Sequence, residues 1–135
     1  MAVLSITAAN VRPDAKNVPM RQYEASEAIT AGMAVHLDTA TNMIRKGTPE
    51  DYFNIVGITL TNAYTTGDIV QVQTGGEYVH GATASTGANG DTYYLYGTGG
   101  LSQYADVGTG TVVEIMYQLT ATTGFIQITN TGVEI

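Results

Sequence analysis

Short apolar runs, each introduced by a glycine, recur along this sequence. Gly67 and Asp68 introduce one run, Gly90 and Asp91 introduce another, and Gly32 introduces a third. Glycine tolerates positive φ and aspartate bonds its own downstream backbone, so these residues indicate turns. The residues after the two Gly-Asp pairs are mostly β-branched or aromatic, and such residues favour strands. The pattern therefore predicts a β protein whose strands begin after similar turns.

Alternation between apolar and polar positions gives the bounds of the strands. One predicted hairpin pairs residues 35–37 with Ile44, and a second turns at residues 75–76. Further hairpins are predicted across residues 97–100 and, near the end of the chain, across residues 120–123. The predicted strands are 33–37, 43–46, 55–60, 69–73, 77–80, 92–96, 101–104, 111–119 and 124–129.

Large apolar residues in these runs are the candidate core. In the last hairpin, Val113, Ile115 and Tyr117 are predicted to share one face. The two phenylalanines, Phe53 and Phe125, are interpreted as core anchors.

Helical signals are short and scarce. Thr48 is a candidate N-cap, Pro49 fits the first helical position, and acidic residues 50–51 follow. This pattern predicts a single helical turn that carries Tyr52 and Phe53 into the core. Residues 21–31 fit neither the helical nor the strand period, so one or two helical turns and an irregular strand both stay open there.

The glycine-led runs begin at unequal intervals, which argues against a solenoid or a propeller. The predicted fold is all-β, a small β-barrel or sandwich (β-tulip-like) of short antiparallel strands with one or two short helical turns. Residues 1–20 are predicted to form an extended N-terminal arm, and residues 21–135 a single β domain.

The predicted arm has an apolar tip, formed by Val3, Leu4 and Ile6, followed by an irregular and mobile stretch over residues 8–19. Such a tip suits addition to the sheet edge of another protein. An N-terminal strand paired within its own sheet is the alternative, and the sequence leaves both open.

Charge argues against a nucleic-acid partner. Twelve acidic and five basic residues give a net charge of −7. All five cations lie within residues 12–46, so the last two thirds of the chain has no lysine or arginine. Affinity for a phosphate backbone depends on these residues, and we therefore expect no nucleic acid.

The absence of cysteine rules out a disulfide framework, a thiolate metal site and a cysteine nucleophile. No apolar run approaches the ~20 residues of a membrane helix, and the first residues lack the basic and apolar regions of a signal peptide. We therefore expect a soluble chain with no membrane partner.

Two histidines are the candidates for metal chemistry. His36 and His80 lie in different predicted strands, and a metal would need Asp38 or Glu77 as a further ligand. Lone strand histidines are more often surface residues, which is the preferred interpretation. No serine stands in a nucleophile elbow and no phosphate-binding loop is present, so we expect neither an enzyme nor a cofactor.

Three tyrosines in one strand offer a candidate sugar platform. Tyr94 and Tyr96 are predicted to share one face of the strand, and Tyr93 the other, so one of the two faces must be core. Strand tyrosines usually pack, but a pair on an open face could stack on a carbohydrate.

The order of these motifs resembles that of the small bacteriophage head decoration proteins, also called capsid cement proteins. The resemblance runs over residues 29–128 and is carried by the segments ITAGMAV, DYFNIVGIT, TGDIVQV and GDTYYL, and by the closing hairpin that ends in IQI.

This resemblance implies a non-enzymatic viral structural protein that docks on the outer surface of an assembled virion head. It implies the major capsid protein as partner, a homotrimer, and synthesis in the cytoplasm of the host bacterium. On this basis we predict that the arm residues Val3, Leu4 and Ile6 add to the capsid, with Arg12 and Arg21 near acidic capsid groups. The alternatives are a phage fibre or tail-associated module that binds glycans through tyrosines, and a cupin-like enzyme that uses the two histidines.

Overall fold

Strands dominate the computed structural model, which describes residues 6–14, 17–49, 54–82, 88–103 and 111–134. The all-β prediction is confirmed, with one closed barrel and one separate sheet. The strands of the described residues are β1 Arg12–Pro13, β2 Met20–Ala25, β3 Ala34–Asp38, β4 Met43–Lys46, β5 Ile55–Thr59, β6 Ile69–Gln73, β7 Gly76–Val79, β8 Thr92–Tyr96, β9 Gly100–Ser102, β10 Thr111–Gln118 and β11 Thr123–Glu134.

The barrel contains five strands in the order β2-β4-β3-β5-β6. The predicted hairpin of β3 and β4 is confirmed, with Leu37 opposite Ile44. Four of the strand pairs are antiparallel, whereas β2 and β4 are parallel. Of residues 21–31, whose period is ambiguous, the first five belong to the strand β2, because β6 on one side and β4 on the other supply ladder partners for their backbone.

The barrel strand β3 is buried on both faces. Val35 belongs to an apolar cluster drawn from the barrel strands and the segments that join them. Its neighbour Ala34 belongs to a second cluster, drawn from both sheets. Side chains alternate along a strand, so β3 forms a wall between the two apolar clusters. This arrangement explains why the three consecutive residues 34–36 are all buried.

The other sheet contains six strands in the order β1-β7-β11-β10-β8-β9. The predicted hairpins of β8 with β9 and of β10 with β11 are confirmed. A register shift between Glu114 and Met116 interrupts the alternation of β10. Met116 is consequently buried together with Ile115, and Tyr117 is only half-buried. Phe125 is not the predicted core anchor: it is half-buried and stacks on Tyr117, with ring centroids 5.3 Å apart.

The barrel and the six-stranded sheet are held together by backbone bonds as well as by the shared cluster. Gly99, in the turn between β8 and β9, accepts a hydrogen bond from the Ala34 amide at 3.0 Å and donates one to the Gly47 carbonyl at 2.7 Å. Thr111, at the start of β10, donates to the Pro49 carbonyl at 3.0 Å. These bonds satisfy polar groups at the junction that would otherwise be buried without partners.

Residues 75–76 do not form the predicted hairpin turn. β6 belongs to the barrel and β7 to the six-stranded sheet, so this segment is where the chain crosses between them. Gly76, with φ at +82°, already pairs with Ile126 of β11. The side-chain amide of Gln73 donates hydrogen bonds to the carbonyls of Gly75 and Glu77, at 2.9 and 2.8 Å, and so stabilises the crossing. Two consecutive glycines permit either a hairpin turn or a crossing between sheets, and the strands available for pairing decide which of the two forms.

The described part of the N-terminal segment is attached to the domain, which corrects the expectation of a loose arm over residues 6–14. Ile6 pairs with Ala82, and β1 pairs with β7 with Arg12 opposite Val79. Val11 is buried in the cluster shared by the two sheets. The segment therefore pairs within its own sheet, which was the alternative that the sequence left open. Val3 and Leu4 lie outside the described residues.

Helical structure in the described residues is limited to one 3-10 turn, Ala8–Asn10. The predicted helical turn after Thr48 extends over residues 50–51, which lie outside the described residues with Tyr52 and Phe53. The glycines that introduce the apolar runs, Gly32, Gly67 and Gly90, have φ values of +93°, +95° and +92°. This is the region that glycine enters without steric cost.

Candidate functional site

The described residues among those predicted to contact a capsid do not lie together, since Arg12 and Arg21 belong to different sheets. Arg12 lies in β1, at the edge of the six-stranded sheet, and Arg21 lies in the barrel opposite Val72. Both arginines are exposed, and neither has a carboxylate within 4 Å among the described residues. Ile6 is half-buried and its Cγ2 atom closely approaches Gly32, so it packs on its own chain. The structure thus does not bring these side chains into one site.

An outward face of the barrel carries apolar side chains that the core does not use. Met20 and Ile69 are 47% and 55% exposed. The β2 and β6 register places Gln22 opposite Gln71 between them. Side chains two apart on a strand share a face, so these residues form one surface together with Glu24. We call this surface, formed by Met20, Gln22, Glu24, Ile69 and Gln71, the β2–β6 face.

Arg21 lies beside the β2–β6 face. It lines a hollow of about 190 Å³ with Met20, Gln22 and Gln71. Apolar anchors flanked by amides and by an arginine are typical of surfaces that contact other proteins. Ile69 could have been recognised from the sequence, because side chains alternate along β6 and Ile69 therefore points away from the face that buries Val70 and Val72. Met20 could not, because residues 20–25 have no clear period.

The two histidines are not brought together, and both are buried, so the expectation of surface positions is wrong. His36 lies in β3 of the barrel and His80 directly follows β7 of the other sheet. Within the described residues, no group of three side chains of the metal-binding types could hold a metal ion. Asp38 instead forms an ion pair with Arg45, at 3.3 Å. Hydrogen bonds from the backbone of residues 40 and 41, with this arginine, lower the pKa of the Asp38 carboxyl.

His80 occupies a confined position where the N-terminal segment meets β7. Its Nδ1 atom accepts a hydrogen bond from the Ala82 amide at 3.2 Å, while Nε2 has no partner among the described residues. Burial lowers the pKa of the His80 side chain, because the charged form loses its hydration. The Tyr78 ring approaches edge-on, with centroids 6.3 Å apart. A hollow of about 320 Å³ lies next to this pair and is lined by Val79, Gly81 and Ala82, but not by Tyr78 or His80 themselves.

The predicted division of the strand tyrosines holds. Tyr93 is buried and donates a hydrogen bond to Gln118 at 3.0 Å, whereas Tyr94 and Tyr96 are half-buried on the other face of β8. The most exposed tyrosine among the described residues is instead Tyr64, at 80%. It lies in the loop between β5 and β6, where no period marks it, and sequence analysis did not single it out.

No helix among the described residues has the length and apolar character needed to cross a membrane. Comparisons with known proteins give no match for the chain among family models, curated proteins or solved structures.

Proposed function

We propose that this chain is a non-enzymatic decoration protein that binds the outer surface of an assembled bacteriophage head, as a homotrimer, and stabilises the head. The observation that supports this proposal best is the β2–β6 face, where Met20 and Ile69 stay exposed beside Arg21. Two large side chains kept in water on a regular sheet gain free energy only when another surface covers them. The partner of this face is the major capsid protein.

Decoration needs no catalysis, only preferential binding to the assembled lattice. Any protein that binds the lattice and not its free subunits stabilises the lattice by mass action. A rigid domain suits this role, because fewer degrees of freedom are lost when it docks. The closed barrel, the shared core and the paired N-terminal segment provide such a domain.

Particles of the virus that encodes the chain provide the test. The chain should be present in purified virions and should cosediment with heads that were assembled without it. Ile69→Asp should lower the affinity for heads, measured by cosedimentation, at least about tenfold, because docking would then bury a charge in place of an apolar anchor. Thr98→Asp, in an exposed turn between β8 and β9, adds the same charge elsewhere and should bind normally.

The predicted contribution of Val3 and Leu4 needs a separate variant. Removing residues 1–5 leaves the Ile6 bridge and the Thr7 bond to Gly81 in place, so the described fold should persist. Head binding should then fall while the unfolding midpoint stays unchanged.

Light scattering of the free and the bound protein tests the homotrimer. Absence of the chain from intact virions, or turnover of a small molecule by the pure protein, would overturn the proposed function.

A further inference from the structure

A hollow of about 300 Å³ opens on the barrel beside the exposed ring of Tyr64. Its inner part is apolar, with Ile29 and Ala63 buried and Met33 half-buried. Lys46 and Asn62 line it as well. We call this surface, formed by Ile29, Met33, Lys46, Asn62, Ala63 and Tyr64, the Tyr64 hollow.

The backbone around the hollow is fixed by hydrogen bonds. Ile29 and Ala63 pair through two bonds, at 3.0 and 2.8 Å. The Asp68 carboxylate accepts the Tyr64 amide at 2.8 Å, and the Asn62 side chain accepts the amide of Ala31 at 2.8 Å. A ligand that enters the hollow therefore pays little to order the protein, which favours binding.

The charge of the hollow differs from that of the rest of the chain. The chain has a net charge of −7, yet the cation at the hollow, Lys46, has no carboxylate within 4 Å among the described residues. Glu27 is close, but it accepts the Lys46 backbone amide, at 2.9 Å, rather than pairing with the ammonium group. An anionic group on the ligand would supply the missing counter-charge.

The lining distinguishes between acidic ligands. A sugar acid would place hydroxyl groups against Ile29 and Met33, where they would lose water without gaining partners. An apolar side chain has no hydrogen bonds to water that it would lose there. The volume lies at the lower limit for small-molecule sites, which are about 300 to 1,000 Å³, and suits a single anchoring side chain. An exposed tyrosine at the rim of such a socket is a common anchor of protein contacts.

We propose that the Tyr64 hollow binds an acidic peptide segment of a partner protein. An apolar side chain of the segment fills the hollow against Ile29 and Tyr64, and an adjacent carboxylate pairs with Lys46. This inference concerns a surface separate from the β2–β6 face, and it does not depend on the proposed function.

Acetylated hexapeptides with Phe-Glu, Phe-Gln or Ser-Glu at their centre are suitable probes, titrated into the full chain labelled with ¹⁵N. The Phe-Glu peptide should shift the amide resonances of Ile29, Ala63 and Tyr64 in a saturable way. The Phe-Gln peptide should bind up to about fivefold more weakly, as expected for loss of an exposed ion pair. The Ser-Glu peptide, which lacks the anchor, should produce no saturable shift.

Variants separate the two contacts. Lys46→Gln should remove the difference between the Phe-Glu and Phe-Gln peptides, and Tyr64→Ala should weaken both about tenfold or more. Tyr64→Phe should retain binding. Arg21→Gln removes an exposed cation beside the β2–β6 face and should leave the affinity for all three peptides unchanged. Amide spectra of each free variant establish that the fold is intact.

Three results would overturn the proposal. The first is the absence of saturable shifts at these amides at millimolar peptide. The second is binding of glucuronate at the same amides without binding of the peptides, which would identify a sugar-acid site. The third is concentration-dependent self-association that perturbs the same amides without peptide, which would identify a second copy as the occupant.

Discussion

The backbone of Gly57 lies directly against the carbonyl oxygen of Gln73, where β5 and β6 pair in the barrel. A side chain at this position would also come within 2.8 Å of Val72 Cγ1. Glycine is required here for close approach and not for its torsion angles. The contrast with Gly67, which has φ at +95° and no atom near its missing side chain, separates two uses of glycine in one barrel.

Gly57→Ala should lower the free energy of unfolding by about 2 to 3 kcal/mol, because the added methyl group must displace a strand backbone. Gly67→Ala should cost only about 1 kcal/mol, from the positive φ alone. Urea denaturation of both variants measures the difference. Equal losses would show that β5 and β6 separate easily and that the two strands are not tightly packed at this point.

Tyr78 and Tyr93 are both buried but differ in their hydroxyl groups. The Tyr93 hydroxyl donates to Gln118, whereas the Tyr78 hydroxyl has no partner among the described residues. Burial, and in second place the nearby Tyr93, raise the pKa of Tyr78. Tyr93→Phe should lower the free energy of unfolding by about 1 to 2 kcal/mol, and Tyr78→Phe should leave it unchanged or raise it by up to about 1 kcal/mol. A larger loss for Tyr78→Phe in thermal or urea unfolding would contradict this assignment.

Local pairing could be predicted from the sequence, and long-range pairing could not. The hairpin of Leu37 with Ile44 needs only a turn and two alternating runs, and the sequence contains both. The closure of the barrel pairs Met20 with Gln73, which are far apart in sequence, and no local pattern encodes that contact. The prediction of a hairpin turn at residues 75–76 was wrong for the same reason: two glycines favour a turn locally, but the strands on either side pair in different sheets.

The candidate surfaces were only partly predictable. Alternation along β6 implies that Ile69 is exposed once Val70 and Val72 are assigned to the core. Tyr64 lies in a loop, and its exposure depends on the Ile29–Ala63 bridge beneath it. The burial of both histidines likewise follows from tertiary packing, since an isolated strand histidine fits a surface equally well.

Asp68 stabilises the loop that presents Tyr64. One carboxylate oxygen accepts the amides of Tyr64 and Thr65, at 2.8 and 3.2 Å. Asp68→Ala should lower the free energy of unfolding by about 1 to 2 kcal/mol and should increase amide exchange at these two residues. Asp68→Asn retains an acceptor oxygen and should lose less. Unchanged exchange in Asp68→Ala would show that the loop is held by other contacts.

His80 should make the stability of the domain depend on pH. Its pKa in the folded protein is lowered by burial, whereas in the unfolded chain it returns to about 6.5. Below that pH the unfolded chain takes up a proton that the folded protein resists. The contribution of neutral His80 to the free energy of unfolding is therefore fully present above about pH 6.5. It is lost as the pH decreases towards the lower pKa of the folded state, by at most about 1.4 kcal/mol per pH unit.

The N-terminal segment should respond first to this change. A proton on Nδ1 would face the Ala82 amide, which is itself a donor, and the bond between them would be lost. Ala82 pairs with Ile6, and the neighbouring Gly81 carbonyl accepts the Thr7 amide. The protection factors of the Thr7 and Ala82 amides, which correct for the slower intrinsic exchange in acid, should thus decrease between pH 7 and pH 5, before those in β10 do. His80→Gln should flatten both the exchange response and the pH dependence of unfolding below about pH 6.5. If the variant keeps the slope of the wild-type protein, the acid response originates in other groups.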